Sequence, residues 1–286
     1  MIKIYGNLKE VIKHLIVIVG IWAAVLSLFK IKKLGVDKTL KSMKDVHAYV
    51  EKRIAPFAKE DVLCALDIDL TLLQPDHPAF FIPNVRKHIK TYRNIEKPYA
   101  HLDKTLPFVY SFLHEQRLVD SHVYDLLKTL AGIKTIAFTA TFTGPILHFK
   151  RLEQLRYEQL KEKNICFEGQ FNDEDFALTE CPPYRLEYPC FYKGVLCSNS
   201  ENGTTTKGTV LCAFLRKINW IPKCILLIDD RAKNLQDVAQ SLRKEFPTTQ
   251  FIGIEFLGAH QYCPESISKE DFRNYWEMRF AQANQL

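Results

Sequence analysis

A chain of 286 residues, 47% hydrophobic and 25% charged, has the makeup of one large globular domain, or of a domain with an inserted module, built around a real core. Its formal charge of +6 is concentrated at one end, where Lys3, Lys9, Lys13, Lys30, Lys32 and Lys33 against Glu10 give residues 1–33 a charge of +5. The remainder is close to neutral and offers no basic face for nucleic acid.

Leu15 to Phe29, "LIVIVGIWAAVLSLF", is uncharged, apolar and flanked by lysines. It is shorter than the roughly 20 residues that span a bilayer, but Ile12 and Ile31 extend it if Lys13 and Lys30 snorkel. Residues 12–31 are therefore expected to associate with a membrane, or to direct export as a signal peptide, with a buried helix as the third reading. Either of the first two makes a cytoplasmic location the weaker expectation, and charge on both flanks leaves orientation open.

The spacing of Leu40, Met43, Val46 and Val50 predicts a helix over 36–57, ended by Pro56. "VLCALD" then predicts a strand, and residues 74–131 are mixed, with helical stretches at 107–118 and 121–131. A second strand is expected over Ile133 to Thr139, a charged helix from Pro145 to Lys163, and a short strand at "ICFEG". An irregular stretch rich in Pro, Cys and Tyr runs to about residue 200. Residues 201–208 form a turn into the helix "TVLCAFLRKI". The strand "CILLIDD", a helix over 233–245, the strand "QFIGIEF" and a helix over 268–284 complete the chain. None of the eight cysteines forms a C-x-x-C pair; Cys64, Cys212 and Cys224 read as core, and Cys181, Cys190 and Cys197 could pair only after export.

Continuous apolar strands alternating with helices predict an α/β fold, a parallel sheet covered on both faces. In such sheets ligands bind beyond the carboxyl ends of the strands. The polar residues there are Asp67 with Asp69, Thr139, and Asp229 with Asp230. Unpaired carboxylates inside a core cost several kcal/mol at least, so four acidic groups at one edge call for a cation. An oxygen-only donor set suits a hard divalent ion such as Mg²⁺, and no His or Cys set suits zinc. One carboxylate can attack phosphorus, and a second, two residues on, can protonate the leaving alcohol and then activate water. Thr139 and a lysine, best placed at Lys207, would stabilise the phosphoryl oxygens.

With these residues in view, the chain resembles the haloacid dehalogenase (HAD) superfamily of aspartate-nucleophile phosphohydrolases. "LDIDLTL" matches its D-x-D-x-T motif, "IAFT" its apolar run ending in Thr or Ser, Lys207 in "TKG" its lysine, and "LLIDD" its acidic pair, all in order. "IDDRAKNL" and the long stretch between the second and third motifs resemble a HAD-like family catalogued as a domain of unknown function. The resemblance implies a Rossmann-like three-layer α/β/α domain over residues 34–286, with helical cap insertions near 76–131 and 168–205. It implies Asp67 as nucleophile and metal ligand, and Asp69 as general acid and base, its backbone carbonyl completing a Mg²⁺ site with Asp229 and Asp230. Thr71 would brace the first loop, and Asn234 would bond the loop or the substrate side.

The expected function is a Mg²⁺-dependent phosphatase acting on a small phosphorylated substrate through phospho-Asp67. A phosphotransferase using the same intermediate is the first alternative, and a catalytically silent, membrane-tethered binding or effector protein the second. A dehalogenase is disfavoured, because Asp69 has a role toward a leaving alcohol and none toward halide. Phe80, Phe81, Tyr184, Tyr188 and Tyr192 would close over a substrate or pack the inserts. Arg231 reads as a surface or loop-bracing residue, and His77, His101, His148 and His260 as non-ligands. "QLRYEQLKEK" reads as a solvated helix face. "NGT" at Asn202 is explained by the turn without a sugar.

Overall fold

In a computed structural model of the chain, which describes residues 34–102, 115–145, 151–200 and 205–285, the order of elements is set by alternation of buried strands with helices. These residues belong to the unit Leu34–Leu286, and the apolar segment 12–31 lies outside them. Numbered over the described residues, the chain runs β1 (Lys38–Leu40), α1 (Met43–Ile54), β2 (Val62–Leu66), β3 (Leu73–Pro75), α2 (Ile82–Lys87) and α3 (Ile89–Glu96). It continues through β4 (Gln116–Leu118), α4 (Val123–Thr129), β5 (Lys134–Thr139), α5 (Leu152–Glu162), β6 (Asp175–Ala177), β7 (Cys190–Tyr192) and β8 (Val195–Cys197). Then come α6 (Lys207–Lys217), β9 (Cys224–Asp229), α7 (Ala232–Glu245), β10 (Gln250–Phe256), α8 (Gly258–Gln261) and α9 (Lys269–Ala283).

One sheet takes the order β1-β10-β9-β2-β5-β8-β7-β6; it is parallel from β1 to β8 and antiparallel across β8-β7-β6. Side chains of a strand alternate between faces, and here the alternation sorts two cores. Val62, Cys64 and Leu66 of β2 join α1, α4 and α5 on one face; Leu63 and Ala65 join α6 and α7 on the other. The expected α/β architecture with helices on both sides is therefore present.

Local expectations failed where tertiary pairing overrode periodicity. Lys38–Leu40, expected as helix, is the edge strand β1 beside β10, and the helix starts only after Ser42, whose side chain caps the Asp45 N–H. Of the helix expected over 107–118, residues 107–114 lie outside the described residues, and Gln116–Leu118 is a strand paired with β3. "ICFEG" forms no strand, because β8 occupies the place beside β5, with Ala137 opposite Val195. The stretch expected as irregular holds β6, β7 and β8. Lys193 and Gly194, with φ of 46° and 82°, make the two-residue turn of the β7–β8 hairpin. All eight cysteines are free, including Cys190 and Cys197, which lie opposite each other in that hairpin.

The two inserts also differ from simple lids. α4 packs into the layer beneath the sheet with Val123 and Leu126, while α3 pairs with α9 and α2 with α8. Phe80, Tyr92 and Ile95 from the insert meet Phe272, Trp276 and Phe280, one face of α9, in a separate aromatic core. Trp276 is wholly buried and donates its indole N–H to the Ala79 carbonyl at 3.1 Å. Phe80 and Phe81 are buried, so they pack the insert rather than face a ligand. The later insert extends the sheet through β6–β8. Among the described residues no helix is long and apolar enough to cross a membrane.

Gly208 fixes how closely α6 approaches α7. A Cβ there would lie 2.3 Å from the Asp237 carbonyl oxygen and 2.4 Å from Ser241 Oγ. Overpacking of a close backbone approach costs about 1–3 kcal/mol. Gly208→Val is therefore expected to lower unfolding free energy by about that amount in a urea titration; an unchanged midpoint would show that α6 can shift freely.

Candidate active site

The strand order puts the acidic strand ends side by side. β2 lies between β9 and β5, with Leu66 opposite both Ile228 and Ala137, so the chain carries Asp67 to the edge between Asp229 and Thr139. The Asp67 N–H extends the ladder by donating to Ile228 at 2.9 Å. Beyond it the chain turns back at once: Leu72 and Leu73 N–H both donate to the Ile68 carbonyl, at 2.9 and 2.8 Å, and Leu70 adopts φ 61°. This turn returns Ile68, Leu72 and Leu73 to the core and leaves the aspartates at the edge. Thr71 Oγ1 approaches Asp67 Oδ2 at 3.4 Å, the bracing contact expected of it.

Lys207 opens α6, with Thr206 capping the Thr209 N–H. A cation in the first turn opposes the helix dipole, and 2% exposure removes it from water, so its position needs strong partners. Its Nζ donates to Asp67 Oδ1 at 2.6 Å, Asp229 Oδ2 at 2.7 Å and the Phe138 carbonyl at 2.7 Å. Burial would lower its pKa, but the Asp229 and Asp67 carboxylates more than offset that and hold it above the usual lysine range. Asp229 also accepts from the Arg231 N–H at 2.9 Å and from Asn234 Nδ2 at 2.9 and 3.1 Å, so Asn234 bonds the acidic loop itself.

Asp67, Asp229 and Asp230 each bring a carboxylate oxygen within 4.8 Å of the others, and all three are buried. Burial pushes Asp67 well above the usual carboxylate range; Lys207 pulls it down, while Asp229, Asp230 and Asp69 push it up. Burial likewise raises Asp230, against a lowering hydrogen bond from His260 and with a further push from Asp229. One ammonium does not balance this cluster.

Asp69 stands outside the trio. Its carboxylate accepts from Thr139 Oγ1 at 3.3 Å and from the Arg156 guanidinium. Thr139 is the strand-end threonine that reaches it. Thr141 instead bonds Thr139 through its hydroxyl at 2.8 Å, and Thr143 bonds the Tyr188 carbonyl at 2.8 Å. Asp67, Lys207, Asp229 and Asp230 are thus joined by direct contacts or by the acidic trio, and Asp69 with Thr139 forms a second bonded pair at the same sheet edge.

Two participants escaped the sequence reading. Arg156, assigned to a solvated face, is 2% exposed, pairs with Asp69 and donates to Gln159 Oε1 at 2.7 Å. Its signal was its place between Leu152 and Leu160 on the buried stripe of α5. His260, dismissed for lack of a partner, donates through Nε2 to Asp230 Oδ2 at 2.8 Å. It follows β10 by four residues, so the strand-end rule that selected the aspartates reaches it too. His77 stacks on Tyr275 and His101 meets Asn284; His148 lies outside the described residues.

The chain is similar to uncharacterised proteins of several Rickettsia species. An uncharacterised protein of Rickettsia bellii is 24% identical over 265 residues, 88% of this chain and 84% of its own length. Uncharacterised proteins of Rickettsia typhi and Rickettsia prowazekii are 25% and 24% identical, covering 83% and 90% of this chain and 82% and 84% of their own. No solved structure matches it. Residues 39–280 match the model of the family described as "Protein of unknown function (DUF2608)", and the chain belongs to that family.

Proposed function

We propose that the chain is a HAD-like, Mg²⁺-dependent phosphohydrolase that cleaves a small phosphomonoester through a phospho-aspartate on Asp67. The observation that carries this reading is Lys207 Nζ, held between Asp67 and Asp229 inside a trio of buried carboxylates. The order of the four HAD-like motifs supports it independently.

Three converging oxygen donors with more negative than positive charge fit a hard divalent cation. Asp67, Asp229 and Asp230 would hold it, and when bound it neutralises charge on the nucleophile and the phosphoryl oxygens. The chain's own residues do the rest. An Asp67 oxygen attacks phosphorus in line, forming an acyl–phosphate bond as the ester P–O bond breaks. Asp69 gives its proton to the departing alkoxide, then takes one from the water that attacks phosphorus and releases Asp67. Thr139 and Arg156 hold the Asp69 carboxyl in place, and Lys207 holds Asp67 and supplies positive charge beside the phosphoryl group.

A panel of phosphorylated metabolites with Mg²⁺, beside an EDTA control and an added acceptor alcohol, tests the reading. The expected result is Mg²⁺-dependent inorganic phosphate from at least one small ester. A phosphorylated acceptor in place of phosphate assigns the chain to transfer, and no turnover of any compound favours a silent binding protein. Residues 12–31 we read as an anchor or export signal, which N-terminal sequencing of the protein from its own cell separates.

A further inference from the structure

The imidazole of His260 joins the acidic edge to the inserted lobe. Its Nε2 lies 2.8 Å from Asp230 Oδ2, and its Nδ1 lies 3.4 Å from an Arg86 guanidinium nitrogen. The other terminal nitrogen of Arg86 donates to the His260 backbone carbonyl at 2.8 Å. A guanidinium carries only donors, so Nδ1 must be the acceptor, and the ring proton then resides on Nε2. The hydrogen bonds therefore run in one direction, from Arg86 through His260 to Asp230.

The arrangement is costly to assemble by chance. Arg86 and His260 are 174 residues apart, one on α2 and the other on α8, and Asp230 is nearly buried. Asp230's other cationic neighbour, Arg231, is 59% exposed and stands 4.0 Å away, too far for a hydrogen bond. His260 is thus the close donor to this carboxylate among the contacts described. With Oδ2 engaged by the imidazole, the rotation of the carboxylate is set and Oδ1 is left for another ligand.

We infer that His260, locked in one tautomer by Arg86, is the positioning residue that aims Asp230 into the divalent-cation site. The inference rests on the proposed role of the Asp67, Asp229 and Asp230 trio. It adds that the α2 insert helps set the cation affinity of the sheet edge, through a donor chain that the four motifs do not contain.

Mn²⁺ binding to the full-length chain, read from loss of the free-ion paramagnetic resonance signal, tests it without relying on turnover. His260→Leu is expected to weaken Mn²⁺ binding about 10-fold or more, the scale on which removing a partner of a metal ligand acts. His260→Gln, whose side-chain amide can donate from near the Nε2 position, is expected to stay within about 3-fold of the wild type. Arg86→Met, which leaves the imidazole in place but frees its tautomer, should fall between the two. It serves as the readout if His260→Leu fails to fold in a metal-free thermal melt. Equal affinity in wild type, His260→Leu and Arg86→Met would overturn the relay alone. No Mn²⁺ binding by the wild type, or binding unaffected by Asp229→Asn, would overturn the relay together with the cation site on which it rests.

Discussion

Asp67→Asn is expected to abolish phosphate release while leaving the metal-free protein as stable as the wild type, or more so. An amide cannot attack phosphorus, and loss of a covalent nucleophile costs roughly 10³-fold or more in turnover. Stability moves the other way. Asp67 is buried beside Asp229 and Asp230 with Lys207 as the shared ammonium, and burial holds its pKa above the usual range, so its charged form is disfavoured in the fold. Asn keeps the shape and still accepts from Lys207 through its carbonyl oxygen, while removing one charge from an overcharged cluster. Phosphate assays paired with thermal unfolding in EDTA check both halves. Turnover that survives the substitution would end the phospho-aspartate mechanism, and a large drop in unfolding temperature would mean that Asp67 is chiefly a structural partner of Lys207.

Lys207→Met is expected to be the most damaging single change to stability. It leaves the buried Asp67 and Asp229 facing each other without their shared ammonium and strips the Phe138 carbonyl of its donor. Breaking a buried ion pair from one side costs about 3–5 kcal/mol. Because both carboxylates hold the Lys207 pKa above its unfolded value, its contribution is fully present at neutral pH and is lost only as pH rises through that elevated pKa. Denaturant titrations in EDTA and in Mg²⁺ measure the loss, and Mg²⁺ should restore more stability to Lys207→Met than it adds to the wild type. The double variant with Asp67→Asn should recover part of the loss, since the two residues are in contact. A Lys207→Met protein within about 0.5 kcal/mol of the wild type would refute the assignment of a buried, charged bridge.

The central strands were legible because a parallel strand covered on both faces must be apolar throughout, as "VLCAL" and "CILLID" are. A polar residue that ends such a run is conspicuous, which is why Asp67 with Asp69, Thr139, and Asp229 with Asp230 stood out together. β1 was not legible: its three residues sit inside a helical pattern, and only pairing with β10, more than two hundred residues away, makes them a strand. β6–β8 were hidden for a related reason, since three-residue strands are too short to show a period. Arg156 and His260 share a third cause. Their chemistry depends on Asp69 and Asp230, partners distant in sequence, and a charged or aromatic residue on a helix looks ordinary until the fold supplies the other half of the contact.

The pairing of the insert with α9 also governs when the molecule can be completed. Ala79 and Trp276, joined by a hydrogen bond, are 197 residues apart. During synthesis the aromatic side chains of the insert emerge well before Phe272, Trp276 and Phe280, with which they share a core. β1 waits in the same way for β10. Contacts of such long range make folding slow and leave apolar surface exposed in the interval. The nascent chain is therefore most vulnerable to aggregation and to chaperone capture after the Asp67 loop has been made and before the final helix arrives.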